Sequence, residues 1–151
     1  MYWYLKVLKN YVNFKGRARR KEYWMFTLIT FLFSICISII EIPFNTDLGS
    51  NFYGLITLLP TLAVATRRLH DIGRSGCWIV LPTLLLIPIS LGMMGMIALM
   101  DLSTGFGVGL TILIVLCIVY GILMLVWTCT DSQDGENKYG KNPKENDSMM
   151  I

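Results

Sequence analysis

The sequence predicts an all-α integral membrane protein, a four-helix bundle preceded by an N-terminal amphipathic helix at the membrane interface. Three observations carry this expectation. Hydrophobic residues make up 54% of the chain and charged residues 15%, with a mean hydropathy of +0.58, which leaves little polar surface for a water-soluble fold of 151 residues. Four apolar runs meet or approach the roughly 20 residues that a helix needs to cross a hydrocarbon layer of about 30 Å. All 13 basic residues fall in alternate intervals between those runs. No period-two alternation suggests a barrel, and lipid offers no partner to an open backbone, so the runs must be helices.

Residues 1–22 read as a basic, amphipathic cytoplasmic segment. Tyr4, Leu5, Leu8, Tyr11 and Val12 recur at helical spacing, with Lys6, Lys9, Asn10 and Asn13 on the other face, as in a helix lying in the headgroup layer. The first apolar run follows this polar stretch and ends in Ile40, Glu41, Ile42 and Pro43 without a small-residue cleavage pattern, so it is expected to remain in the mature protein.

The transmembrane domain is expected over residues 23–128, with spans at about 23–42, 48–66, 77–100 and 108–128. The second is the weakest. Its apolar part, Phe52 to Thr66, is short and contains Pro60, so it must reach back to Leu48 or forward into Arg67 and Arg68, whose heads would snorkel to the interface. A re-entrant segment is the competing reading. The third contains Pro82 and Pro88. Residues 129–151 form a polar cytoplasmic tail in which Asp131, Asp134, Glu136, Glu145 and Asp147 outnumber the lysines; it is expected to be exposed, with a turn around Gly140 and Pro143 and disorder from Asn146 onward.

Charge sets the orientation. Lys6, Lys9, Lys15, Arg17, Arg19, Arg20 and Lys21 precede the first span, Arg67, Arg68 and Arg74 join the second to the third, and Lys138, Lys141 and Lys144 follow the fourth. The other two loops hold only Glu41, Asp47 and Asp101, so the positive-inside rule places both termini and the middle loop in the cytoplasm. Trp24, Trp78 and Trp127 then mark cytoplasmic span ends as interfacial anchors. Cys36, Cys77, Cys117 and Cys129 show no metal or redox spacing and read as apolar packing residues.

Three polar motifs share that cytoplasmic side: Phe14 to Trp24, with Gly16-Arg17-Ala18-Arg19-Arg20-Lys21-Glu22 at its heart; Arg67-Arg68-Leu69-His70-Asp71-Ile72-Gly73-Arg74-Ser75-Gly76, followed by Trp78; and Gly135-Glu136-Asn137-Lys138-Tyr139-Gly140, followed by Asn142 and Pro143. In this order, with apolar spans between them, they resemble the bacterial inner-membrane family known as domain of unknown function 805, the YhaH/YhaI-like proteins. The resemblance covers about Phe14 to Pro143; the one departure is Cys77, where a second Trp is frequent in the family. It implies a multi-pass location in the bacterial inner (plasma) membrane and brings no established activity.

Two readings of the motifs follow from their chemistry. Arginines around a Gly-Arg-Ser-Gly turn can offer guanidinium forks and backbone N–H groups to an anionic headgroup or another phosphate. Alternatively, Arg67, Arg68 and Arg74 pair with Asp71 and Glu22 and lock the loop, with Gly73 and Gly76 permitting the turn. The expected cluster comprises Arg17, Arg19, Glu22, Arg67, Arg68, His70, Asp71, Arg74 and Ser75, joined by Asn137 and Tyr139. A single His beside Asp71, with no nucleophile at a marking distance, does not make a hydrolase, so no catalytic residue, metal or cofactor is expected. The expected function is non-enzymatic, with membrane lipids, a membrane protein or a second copy as partner and no nucleic acid. A small channel or solute transporter is the alternative; against it, the span interiors contain no ionisable group.

Overall fold

A computed structural model describes residues 2–79 and 104–143, with 104–110 as backbone only. The chain divides into two compact units, Met1–Gly76 with Asp131–Ile151, and Cys77–Thr130. Every named element among the described residues is helical: α1 (Tyr2–Lys9), α2 (Arg20–Glu41), a 3-10 turn (Ile42–Phe44), α3 (Leu48–Asp71) and α4 (Thr104–Cys129). Three stretches, Arg20–Phe44, Leu48–Asp71 and Thr111–Cys129, are long and apolar enough to cross a membrane.

In the first unit, α2 starts at Arg20, ahead of the expected position 23, with Glu22 in its first turn where a carboxylate complements the helix dipole. Pro43 in the 3-10 turn and the left-handed Asn45 (φ 48°) reverse the chain. Glu41 then closes the α2–α3 hairpin. One carboxylate oxygen accepts the amide of Gly49, and the other accepts the amide and hydroxyl of Ser50 at 3.1 and 2.6 Å. These bonds cap the start of α3, where the N-cap Asp47 makes no side-chain bond.

The second expected span is one continuous helix of 24 residues, about 36 Å long, which is long and apolar enough to cross a membrane. It extends in both directions beyond its apolar centre. Pro60 lies buried inside it and has no N–H for the carbonyl of Ile56; the Tyr11 hydroxyl donates to that oxygen instead. At the far end, Gly73 (φ 77°) donates to His70 O at 3.1 Å and Arg74 to Leu69 O at 2.9 Å, a Schellman stop that needs glycine at the left-handed position.

Helix α1 covers Tyr2–Lys9, the first part of the expected amphipathic stretch, and protein takes part of its apolar face while Leu5 and Val12 stay exposed. Val7 is fully buried with Ala18, Phe26 and Val64, while Tyr4 and Leu8 pack around them. Tyr4 stacks on Phe26 (5.2 Å) and reaches Phe33 (6.4 Å). Burial, then the nearby Tyr53 phenol, pushes the Tyr4 hydroxyl up to about 12. Phe33 lies three helical turns along α2 from Glu22, so the N-terminal segment runs beside α2 and α3 and does not merely touch their ends.

Burial is inverted relative to a soluble protein. The buried set contains Arg17, Glu22, Arg67, Arg68 and Asp71, whereas Leu28, Phe31, Leu32, Ile39 and Leu55 are exposed. Exposed apolar helix faces, with charged groups buried beside a small apolar core, suit lipid as solvent. Cys36, Cys77, Cys117 and Cys129, read as apolar packing residues, form no disulfide and are exposed on helix surfaces.

The second unit contains a helical turn at residues 77–79 and α4, which begins four residues before the expected 108. Trp78 meets Trp127 edge to face at 5.3 Å, and the Tyr120 hydroxyl donates to Trp78 O at 2.5 Å. The rest of the third expected span, and the tail expected to be disordered from Asn146, lie outside the described residues.

Candidate functional site

The first turn of α2 and the last turns of α3 are rich in charge, and there Glu22, Arg67, Arg68 and Asp71 turn inward. Asp71 is the hub. Its Oδ1 accepts Arg17 Nε at 2.9 Å, and its Oδ2 accepts Arg68 Nη1 and, at 2.5 Å, the Ser132 hydroxyl. All three side chains of the Arg17–Asp71–Arg68 group are at most 1% exposed. A carboxylate desolvated to this degree is tolerated only with such partners.

Arg17 binds more than Asp71. Nη1 donates to Gly135 O (2.7 Å) and Gly140 O (3.2 Å), and Nη2 to Asp71 O (3.3 Å) and Gln133 O. With Nε on the carboxylate, all five of its N–H groups are engaged. A second ion pair lies beside it: Arg67 Nη1 donates to Glu22 Oε1 at 2.8 Å, and Lys6 Nζ holds Glu22 Oε2 at 3.0 Å. The Ala18 amide donates to Arg67 O at 3.0 Å, tying the chain ahead of α2 to the last turns of α3.

Arg67 and Arg68, expected to snorkel, are 4% and 0% exposed and paired inside the protein. Two acidic side chains within reach favour pairing over extension into the interface. The tail also departs from its expected exposure: Ser132 and Asn142 are buried, and residues 131–143 run across the cluster. The turn at Gly140 forms as expected, with Asn137 and Gly140 exchanging backbone bonds at 3.1 and 2.9 Å. It delivers Tyr139 onto the His70 ring (3.8 Å, 7° from parallel) and Asn137 Nδ2 onto His70 O (3.0 Å). His70 Nδ1 faces Gly16 O at 3.3 Å.

Residues from all three sequence motifs therefore come together: Arg17 and Glu22 from the first, Arg67, Arg68, His70 and Asp71 from the second, Asn137 and Tyr139 from the third. Arg19 donates to Pro143 O at the rim. Arg74 is exposed on the loop after α3 and Ser75 half-buried beside it. Sequence reading missed Lys6, Ser132 and Gln133. Ser132 lies ahead of the third motif, and Gln133 contributes backbone groups, its amide reaching Asp71 O at 3.0 Å, which no side-chain pattern reveals.

Outside the buried network lies a basic cleft. Arg19, Arg20, Lys21 and Asp131 line about 350 Å³, with Arg20 reaching Asp131 at 3.4 Å. Trp24, one turn along α2, is 39% exposed. Among the described residues no three His, Cys, Asp or Glu side chains gather to hold a metal.

The chain is 40% identical over 146 residues to the inner membrane protein YhaI of Escherichia coli (strain K12), covering 95% of this chain and 97% of that one. It is 36% identical over 150 residues to the inner membrane protein YhaH of the same strain, with 95% and 98% covered. The uncharacterized protein YiiR, also from that strain, matches at 28% over 134 residues, 88% of this chain and 87% of its own. No solved structure matches. Residues 11–141, which include the whole Arg17–Asp71–Tyr139 assembly, match the family described as protein of unknown function (DUF805), and the chain belongs to that family of membrane proteins.

Proposed function

We propose that this chain is a multi-pass inner-membrane protein with four crossings and both termini in the cytoplasm, acting without catalysis by holding anionic lipid headgroups at the basic cleft of Arg19, Arg20 and Lys21. The cleft carries the reading. It combines three cations with a half-exposed Trp24 one turn along α2, where an indole would lie at headgroup level. The other cluster residues have structural work. Arg17 is saturated and Arg68 is enclosed with Asp71, so these groups clasp the helix ends and tail while the rim faces the membrane surface. Arg74, exposed beside them, adds to the basic face.

Two observations support the crossings. The basic segments before α2 and after α3 and the tail meet in one unit, as the positive-inside rule requires. In the second unit, Trp78 lies against Trp127 near the end of α4, as two anchors at one interface would. A non-enzymatic role is supported by Asp71, both of whose carboxylate oxygens are taken up by Arg17, Arg68 and Ser132 in the clasp.

Native mass spectrometry after reconstitution tests the cleft. A basic residue near an anionic leaflet is worth about 1 kcal/mol, so Arg19→Ala/Arg20→Ala/Lys21→Ala lowers retention of phosphatidylglycerol relative to phosphatidylcholine by on the order of tenfold after allowance for Asp131. Unchanged selectivity rejects the cleft. A membrane protein partner or second copy would compete for the same rim, and crosslinking in intact membranes reports it. One observation favours the channel or transporter alternative: the Thr30 hydroxyl is buried on α2 without a hydrogen-bond partner among the described residues. Ion and solute flux through reconstituted protein would support that reading over lipid binding.

A further inference from the structure

Three buried guanidinium groups, Arg17, Arg67 and Arg68, face two buried carboxylates, Glu22 and Asp71. Arg67 differs from the other two in its bonding. Its Nη1 is taken by Glu22 Oε1 at 2.8 Å, whereas Nε and Nη2 are buried with no hydrogen-bond partner among the described residues. Nε and Nη2 share one edge of the planar group, and their N–H bonds run parallel there, forming the fork that receives two oxygens of a single oxyanion. Glu22 does not fill it, because its second oxygen is held by Lys6 at 3.0 Å.

We propose that the Nε–Nη2 edge of Arg67 is a binding site for one phosphate group, either the free ion or a lipid phosphodiester, next to the Lys6–Glu22–Arg67 chain. Charge supports this independently of hydrogen bonding. Lys6 and Arg67 share the single carboxylate of Glu22, and Arg17 and Arg68 share that of Asp71. A water molecule would meet the two N–H groups and leave the excess charge uncompensated in a desolvated place; an oxyanion meets both. Lys6, 37% exposed, puts a cation at the outer edge of the chain, where it would draw an anion inward. The site uses none of Arg19, Arg20, Lys21 or Asp131 and is separable from the headgroup cleft.

The test uses the full chain in maltoside micelles, which contain no phosphate, with arginine labelled by ¹⁵N. Inorganic phosphate is one probe and phosphatidylglycerol the other, and the readout is the Nε–H resonance of Arg67, assigned from its loss in Arg67→Lys. The expected result is a saturable shift of that resonance with at least one probe. Thermal-shift titration should show binding weakened at least tenfold in Arg67→Lys, which keeps the charge and loses the fork. Glu22→Gln, which removes the competing carboxylate, should bind more tightly, and it decides the matter if Arg67→Lys fails to fold. A response to inorganic phosphate assigns a free oxyanion; a response to phosphatidylglycerol alone assigns a headgroup. No saturable shift with either probe, or wild-type affinity in Arg67→Lys, overturns the site. Arg20→Ala/Lys21→Ala should leave this response intact even where it abolishes lipid selectivity at the cleft, so the two proposals fail separately.

Discussion

The hydroxyl of Tyr11 donates to the carbonyl oxygen of Ile56, the acceptor that Pro60 leaves without its helical partner. A residue of the N-terminal segment thus repairs the α3 ladder at the one place where the sequence breaks it. Tyr11→Phe should destabilise the protein by about 1 kcal/mol, the usual net worth of one hydrogen bond. Pro60→Ala restores an N–H at that position, so the cost of Tyr11→Phe should shrink in the Pro60→Ala background. Thermal unfolding of the four proteins in micelles measures this coupling, and strict additivity would show that the hydroxyl does not serve the proline gap.

Asp71 is the point where a single substitution should do most harm. Asp71→Asn keeps the shape and removes the charge shared by Arg17 and Arg68, leaving two buried cations without a carboxylate. Breaking a buried pair from one side costs about 3–5 kcal/mol. Arg17→Lys should also be costly, because an ammonium has three donors and cannot reach the Gln133, Gly135 and Gly140 carbonyls together with Asp71. Melting temperatures should rank Asp71→Asn lowest and Lys141→Ala, at an exposed position, near the wild type.

The tail is held by a ring stack as well as by Arg17. Tyr139→Ala should lose the face of His70 and the 0.5–1.5 kcal/mol that such pairs contribute beyond burial, by rough measure. Tyr139→Phe keeps the ring and should be close to neutral. Limited proteolysis from the aqueous side reads this directly: cleavage within residues 131–143 should accelerate in Tyr139→Ala and not in Tyr139→Phe.

Helix α2, α3 and α4 were legible in the sequence because apolar length and charge asymmetry act at the scale of a whole span, where no single residue decides. The pairing of Arg67 with Glu22 and of Arg68 with Asp71 was legible as residue chemistry, since few acids lie near so many bases. Three features were hidden. Tyr4, Leu8 and Val7 show the same spacing whether their face meets lipid or protein, so the seat of α1 could not be read. Arg17 draws most of its bonds from backbone carbonyls, which every residue carries. Snorkelling and burial demand the same long stem of Arg67 and Arg68, and only the positions of Glu22 and Asp71 separate them.

Gly73 tests the Schellman stop. At φ 77° an L side chain is strained, and a Cβ there would meet Gln133 Oε1 at 2.8 Å. Gly73→Ala should cost about 1–2 kcal/mol from the left-handed conformation. It should also displace Gln133, whose Oε1 accepts Asn137 Nδ2 at 3.2 Å, and so loosen the tail. Faster amide exchange at Gln133 and Asn137 with α3 still protected would locate the damage at the stop; uniform loss of protection would show a wider collapse.

Cysteine accessibility tests the crossings themselves. In a background with Cys36, Cys77, Cys117 and Cys129 replaced, Lys15→Cys and Lys141→Cys should react with a membrane-impermeant maleimide only after the cytoplasm is opened, and Asp47→Cys and Asp101→Cys should react in intact cells stripped of their outer membrane. The tail constrains the outcome. Its Ser132 hydroxyl lies on Asp71 at the end of α3, which puts the tail at that end of the helix. If α4, about 39 Å long, crosses as proposed, a tail on the same side calls for one further crossing before it. Labelling of Asp101→Cys from the outside would place that crossing between Gly76 and Asp101. Labelling of Lys141→Cys from the outside would instead mean that the tail cannot rest on Asp71 in the cell, and the ion-pair cluster would lose its third strand.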